Sequence, residues 1–454
     1  MGAAHRTTRA NTEPFMNAPI ARQTFLGPRR EAFDPPVRGD AITADRYFSP
    51  AWAKAEWDRL WTKTWHIGCM EAELEEPGDW ARHDVGHESV LMVRQTDGGV
   101  KAFYNSCKHR GNRLGLTELG GGASITCSYH GWRYAPDGAL VHAQDADDVS
   151  GGNPCGRVRL VEVPCGMWGG FVWFSMDASA PPLMDWLAPL PDDLARYGME
   201  RWTRVMYLTA EVKCNWKIVR DNFNESYHLP TLHPELRPFI NDDYTNTIFE
   251  MFPGGHNRMV MKGSEPTGRD PGLAGGPVPA PLDAMAAAWG VEVGGLSAPQ
   301  VRAAVIEAKR RLGYERGFHH YAALSDSELV DYYHYTLFPN VSFTMSADGF
   351  QMLRTEPHPT DPERCVFDHW FIMPPVESMR EVDTPIGRLP FAHAERVRFA
   401  HGAGSLGAVA DQDLSVAESQ QLGLHSRGYT GSLLTGQEKR IQRFHELLND
   451  VVGA

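Results

Sequence analysis

The chain has 454 residues, 42% hydrophobic and 22% charged, ordinary for globular domains and long enough for two or three cores. A net charge of −13 excludes the basic balance on which phosphate-neutralising nucleic-acid binding rests. No apolar run approaches the roughly 18 residues of a membrane span, and no apolar stretch follows Arg29-Arg30 to make a secretory or twin-arginine signal. Seven scattered cysteines do not read as a disulfide framework. Together these features predict a cytoplasmic protein with neither nucleic acid nor membrane as partner.

In chain order, residues 1–44 are rich in Arg, Pro, Ala and Thr without periodicity and read as an N-terminal arm. Ser49-Pro50 supplies an N-cap and a first-turn proline for a helix to about Trp61. From Thr64 to Met176 the texture turns to short β segments, with strands expected at 65–69, 88–94, 100–104, 158–163 and 169–174. Asp97-Gly98-Gly99 is a hairpin turn between two of them. The run from Asp177 to Pro182 reads as a linker.

Beyond the linker, 183–197 reads as helical, 202–211 as a strand, and a helix is expected from about Asn215. Residues 264–281 are dense in Gly and Pro and read as a loop. Ser297-Ala-Pro-Gln300 is a capping box opening a helix to about Leu312. Strands are expected at 332–338, 341–346, 350–355 and 365–372, and Thr435-Gly-Gln-Glu438 caps a last helix over 439–448. The fold class is α+β: a small all-β domain over 45–177 and a larger domain over 178–454, with an antiparallel sheet flanked by helices.

Two pairs of metal-binding residue types dominate the first domain. Cys107 and His109 are separated by one residue, Cys127 and His130 by two, and 17 residues lie between the pairs. A zinc finger groups like ligands in each pair, whereas each pair here mixes one thiolate with one imidazole. That mixture suits a [2Fe-2S] cluster with two cysteines on one iron and two histidines on the other. A structural zinc site, or histidines unrelated to the cysteines, are the alternatives. With His109-Arg110-Gly111 and Tyr129-His130-Gly131-Trp132 around it, the pattern resembles the Rieske cluster signature. Neutral imidazoles raise the potential, so such a cluster accepts electrons from a low-potential ferredoxin. Lys108, Arg110, Arg113 and Arg133 form a basic collar there, either a solvated surface or a docking face for an acidic electron donor.

The second constellation lies in Asn215 to His233. His228 and His233 are five residues apart, a step that puts ligands roughly 140° apart on a regular helix. A helix ending near His228 and a turn through Pro230 would bring them together. Two imidazoles and one carboxylate on one face of iron leave positions open for O2 and substrate. Behind a Rieske signature, this set resembles the catalytic subunit of Rieske non-haem iron oxygenases, the ring-hydroxylating family. The matching residues are Asn215-Trp216-Lys217, Asp221-Asn222, Glu225, Tyr227-His228 and His233.

The resemblance implies a third iron ligand near a C-terminal helix. It falls on Asp413, with Asp411 as fallback and Glu418 and Gln421 in support; alternatively Asp413 only caps a helix over 414–424. It also makes Glu225 the carboxylate that bridges the iron of one subunit to a Rieske histidine of the next. It implies a head-to-tail homotrimer, possibly with a separate beta subunit, and a ferredoxin or NAD(P)H-dependent reductase as donor.

O2 and a small organic substrate would meet at the iron. Aromatic or cyclic hydroxylation leads, as the commonest reaction of the motif set. The short spacing from Asn222 to Glu225 is similar instead to the branch acting on choline, betaine and carnitine, which makes demethylation or C–N cleavage the alternative. A Rieske electron carrier without oxygenase activity, and a zinc-stabilised scaffold, are the readings of another class. Trp289, Phe338, Phe343 and Met345 are pocket candidates, each also a candidate for core packing, and 264–317 is either the pocket mouth or a surface insertion.

Overall fold

The computed structural model describes residues 36–453 apart from 378. Most of the expected N-terminal arm therefore lies outside the described residues. Its last part packs rather than dangles: the Arg38 and Gly39 amides donate to Glu446 Oε1 at 2.6 and 2.7 Å. Ser49 caps α1 (Pro50–Glu56), its Oγ accepting from the Ala51 amide, and a wider turn carries the helix on to Trp61.

The first domain is all β. Strands β1 (Trp65–Met70), β2 (Trp80–Val85), β3 (Glu88–Arg94) and β4 (Val100–Tyr104) belong to two small sheets; the Cys107/His109 loop follows β4, and the Cys127/His130 loop projects from a third sheet made of two- and three-residue strands. β2 is additional to the expected strands, since Arg82, His83 and Asp84 interrupt its apolar alternation. The strand expected over 158–163 shrinks to Glu162–Val163, since Val158 and Leu160 bond Leu140 and Gly138 next to the cluster loops. β5 (Phe171–Ser175) closes the domain against β1 in antiparallel register.

The second domain is built on a nine-stranded sheet. Its central strands are β6 (Thr203–Val212), β7 (Asn257–Gly263), β8 (Tyr332–Leu337), β9 (Val341–Ser346), β10 (Gly349–Pro357) and β11 (Cys365–Met373). The path runs β7-β8-β9-β10-β11-β6, antiparallel at each step. Against it lie α2 (Trp216–Asn222), the single turn α3 (Leu229–Leu232), α4 (Ala408–Ser415), α5 (Ala417–Leu424) and α6 (Lys439–Val452). Both capping boxes form, at Ser297 and at Thr435.

The two domains share packed side chains and buried charge. Phe171 stacks on Phe343 with ring centroids 5.7 Å apart. His83 Nε2 lies 2.8 Å from Glu356 Oε1, and Arg354 reaches across to the Ile67 carbonyl at 2.6 Å while pairing with Asp368. Phe343 and Met345 are fully buried here, on the face of β9 opposite to Thr344. Period-2 alternation thus makes them core residues and not pocket residues. Phe338 packs on Phe444 and Trp289 on Phe318, so neither serves the pocket. Among the described residues, no helix is long and apolar enough to cross a membrane.

Candidate metal centres and active-site cavity

The two Cys/His pairs sit on matching loops. The Cys107 amide donates to the Asn112 carbonyl at 2.9 Å and the Gly111 amide back to Cys107 O at 2.9 Å; Cys127, Trp132 and Gly131 repeat both bonds at 2.8 and 3.0 Å. Gly111 and Gly131 have φ of +76° and +68°, with nothing crowding the space a Cβ would take at Gly131. Backbone conformation rather than room demands glycine there. The two thiols are buried, whereas His109 is exposed and its ring lies 4.6 Å from that of His130.

The donor set fits a two-iron cluster. The Tyr134 hydroxyl accepts the Lys108 amide at 2.9 Å and, toward Cys107 as the thiolate a cluster requires, donates its one proton to Sγ, 3.3 Å away. Burial opposes ionisation of Cys127, yet the amides of Tyr129 and His130 aimed at its sulfur hold it below the usual thiol value. Amides and a hydroxyl directed at sulfur stabilise the negative charge of a coordinated thiolate. Of the basic collar, Arg113 pairs with Asp84 at 3.3 Å and Arg110 donates to the Tyr129 hydroxyl.

The second site comes from three elements. α2 ends at Asn222, earlier than expected, and α3 spans only the residues between the two histidines. His233 then leaves the helical region with φ −123° and ψ 56°, which undoes the angular separation of a regular helix. His228 Nε2 and His233 Nε2 lie 3.3 and 2.8 Å from Asp413 Oδ1. Among the described residues, these form the one trio of His, Cys, Asp or Glu whose ligand atoms all lie within 4.8 Å of one another. Asp413 is inside α4 and not at its start, so it does not cap a helix over 414–424. Asp411 is spent on Ser405 Oγ and the Leu406 amide, and Glu418 lies near Lys213 at 3.9 Å.

Each imidazole is held through its other nitrogen. His228 Nδ1 bonds Glu225 Oε1, and Glu225 Oε2 also accepts the Tyr227 and His228 amides. His233 Nδ1 lies 2.8 Å from Gln412 Oε1, and Asn222 Nδ2 donates to Asp413 Oδ1 at 2.8 Å. Burial alone would lower His228; Asp413 and Glu225 outweigh it and lift the imidazole to about 10. Burial likewise opposes the shift of Asp413, whose carboxyl the two imidazoles hold below its ordinary value. A potential that favours protons on both rings favours a cation among them, and the residues fit iron of the two-histidine, one-carboxylate kind. Gln412 carried no sequence signal beyond its place beside Asp413.

A cavity of about 380 Å³ opens beside the trio, walled by Leu229, Phe239, Met259 and Met261 and floored by β8 to β11. No residue of 264–317 lines it, so that segment does not form its mouth. A larger cavity of about 460 Å³ at Trp57, His87 and Pro359 contains none of the metal-site groups.

A Cys/His clamp on a small β domain and a His/His/Asp trio on a larger sheet define a protein of two iron centres. The chain belongs to the family of ring hydroxylating alpha subunits, whose catalytic-domain model matches residues 199–454, and a Rieske [2Fe-2S] domain model matches 64–153. It is 33% identical over 177 residues to the glycine betaine monooxygenase oxygenase subunit of Pseudomonas aeruginosa, covering 39% of this chain and 41% of that one. To the carnitine monooxygenase oxygenase subunit of Escherichia coli it is 31% identical over 196 residues, 42% and 52% of the two chains. The chain thus spans about two fifths and about half of the length of these relatives.

Among solved structures, a quaternary ammonium Rieske monooxygenase superposes with a TM-score of 0.62 at 19% identity, covering 90% of this chain and 95% of that one. Naphthalene 1,2-dioxygenase from Rhodococcus sp. gives 0.62 at 18%, covering 91% and 94%. At these identities the likeness is one of fold, shared alike by amine and arene oxygenases.

Proposed function

We propose that the chain is the terminal oxygenase component of an electron-transfer system and hydroxylates a carbon next to nitrogen in a quaternary-amine-type substrate. One observation carries this reading: two imidazole Nε2 atoms and one carboxylate oxygen face one another at the edge of a 380 Å³ cavity, in the chain that bears the Cys/His clamp. The amine reading replaces the arene as leading substrate because the relatives above are named for betaine and carnitine. The short Asn222 to Glu225 spacing supports the same choice. Aromatic hydrocarbon catabolism has no such support.

His228, His233 and Asp413 would hold the iron and Cys107, His109, Cys127 and His130 the cluster, which together would supply the reduction of O2. The protein's own share is positional. Glu225 and Gln412 accept hydrogen bonds from the Nδ1–H groups and so turn both Nε2 lone pairs inward. Asn222 fixes the Asp413 carboxylate, and the apolar wall keeps bulk water from the reacting carbon. Insertion of one oxygen into C–H, the other leaving as water, consumes two electrons and two protons. The hydroxylated carbon then loses its hydroxyl proton and becomes a carbonyl as the C–N bond breaks, its electron pair leaving with the tertiary amine.

The division into an arm (1–44), a Rieske domain (45–177) and a catalytic domain (178–454) belongs to this proposal. So do a homotrimer, with or without a beta subunit, and a ferredoxin or reductase docking at Lys108 and Arg133. Tyr129 beside the cluster is 56% exposed and Tyr227 beside the iron site 51%, apolar surfaces suited to subunit contact. Iron and sulfide analysis tests the class. Three irons per chain are expected, and two would leave an electron carrier. Mass spectrometry of products under labelled O2 tests the reaction: one labelled oxygen, or loss of an alkyl group, is expected, and a gain of two would restore dihydroxylation.

A further inference from the structure

The cavity beside His228 has two unlike faces. Its wall is apolar, but its floor is a polar ladder across adjacent strands: His334 on β8 stands opposite Thr344 on β9, which stands opposite Gln351 on β10. His334 Nδ1 lies 2.9 Å from Thr344 Oγ1. From β11, His369 Nε2 lies 2.8 Å from Gln351 Oε1, and its Nδ1 lies 2.8 Å from the Leu406 carbonyl.

A carbonyl only accepts, so His369 Nδ1 carries the ring proton. Burial pushes His369 down to about 4, which leaves Nε2 as a lone pair at neutral pH. Two lone pairs do not bond, so we assign the Gln351 amide the opposite way round, with its N–H on His369 Nε2 and its oxygen left for another partner; Gln351 lines the cavity. Burial, with Arg440 and Arg220 acting through space, also keeps His334 uncharged. The floor therefore offers neutral hydrogen-bonding groups and no charge.

Among the described residues that line the cavity, none is a lysine or arginine. Arg220 and Arg440 lie outside the lining, donating to the Pro339 carbonyl and to Asn257 and Thr336. The carboxylates present, Glu225 and Asp413, face the imidazoles. On the floor, away from the iron ligands, a substrate carboxylate would lose its water without gaining a lysine or arginine partner, which is unfavourable.

We propose that this cavity selects a substrate without a carboxylate, with an apolar or methylated head against Leu229, Phe239 and Met259 and a hydroxyl at the far end on Gln351 and Thr344. This rests on the oxygenase reading for the place of the cavity and narrows it, favouring amino alcohols over betaines.

Matched probes separate the two ideas. Choline and glycine betaine share a trimethylammonium head, and 2-phenylethanol and phenylacetate share a phenyl head; within each pair only alcohol and carboxylate differ. Calorimetric titration of the iron-loaded, oxidised protein, without electron donor, reads all four. Choline is expected to bind at least about tenfold more tightly than glycine betaine. Gln351→Leu and the near-isosteric Thr344→Val are each expected to weaken alcohol binding about threefold to tenfold, with melting temperature confirming that the variants fold.

Preference for 2-phenylethanol over phenylacetate with no amine bound would uphold the inference and end the quaternary-amine reading. A carboxylate binding as tightly as its matched alcohol would overturn the inference, and so would failure of both alcohols to bind. Alcohol binding unchanged in both variants would overturn the assignment to Gln351 and Thr344.

Discussion

Gln412 Oε1 stands 2.8 Å from Nδ1 of His233, and the next residue, Asp413, stands 2.8 Å from Nε2 of the same ring. Neighbouring positions on α4 thus grip both nitrogens of one imidazole. With a cation in the trio, Nε2 gives its lone pair and Nδ1–H donates to the glutamine oxygen. Gln412→Leu is expected to weaken Fe(II) binding about 10- to 100-fold, and Gln412→Glu to restore most of it. Anaerobic competition against a calibrated chelator measures both.

Glu225 bonds His228 Nδ1 while the Tyr227 and His228 amides fix its second oxygen. Glu225→Gln keeps a hydrogen-bonding group of the same shape and removes the charge. Iron content is expected to stay at three per chain while product formed in a single turnover falls at least about tenfold, since the ligand is oriented but less basic. Loss of iron in this variant would make Glu225 a binding group and nothing more.

Tyr134 directs its only proton at Cys107 Sγ. Hydrogen bonds to cluster sulfur stabilise the reduced, more negative state. Tyr134→Phe is therefore expected to lower the reduction potential of the cluster with its visible spectrum retained. Spectroelectrochemical titration checks the sign, and an unchanged potential would show that the hydroxyl serves only the Lys108 amide.

The ion pairs between the domains predict an acid limit to stability. Burial alone would raise the Glu356 carboxyl, but Arg354 and His83 outweigh it and hold it at about 2. A folded-state value below the unfolded one contributes stability that is fully present above about pH 4.5 and is lost as pH falls toward 2. Denaturant unfolding across pH 6 to 3 is expected to show Glu356→Gln with a flatter decline, by up to one proton or about 1.4 kcal/mol per pH unit. An equal slope in both proteins would remove Glu356 from the account.

Local chemistry made much of this protein legible. Cys107, His109, Cys127 and His130 declare themselves because a cluster needs short mixed pairs on tight loops, and β3 and β4 because a hairpin turn separates two apolar runs. Ser297 and Thr435 mark helix starts for the same reason: a capping box is satisfied within four residues. His228 and His233 were visible as a pair, although their convergence through α3 was not, since it depends on where α2 stops. Asp413 came from resemblance to a family and not from spacing.

The sequence by itself determined the kind of metal chemistry, because thiolates, imidazoles and carboxylates choose their ions by type and local spacing. Only the tertiary structure decided which residues surround that chemistry. Phe343 and Met345 were open to pocket or core; both go to the core and Thr344 between them to the cavity, since one step along a strand reverses the face. His334, Thr344 and Gln351 become neighbours through strand register, and Gln412 meets His233 across 179 positions of chain. Such relations are set by packing distant segments on one sheet, and no local pattern of residues records them.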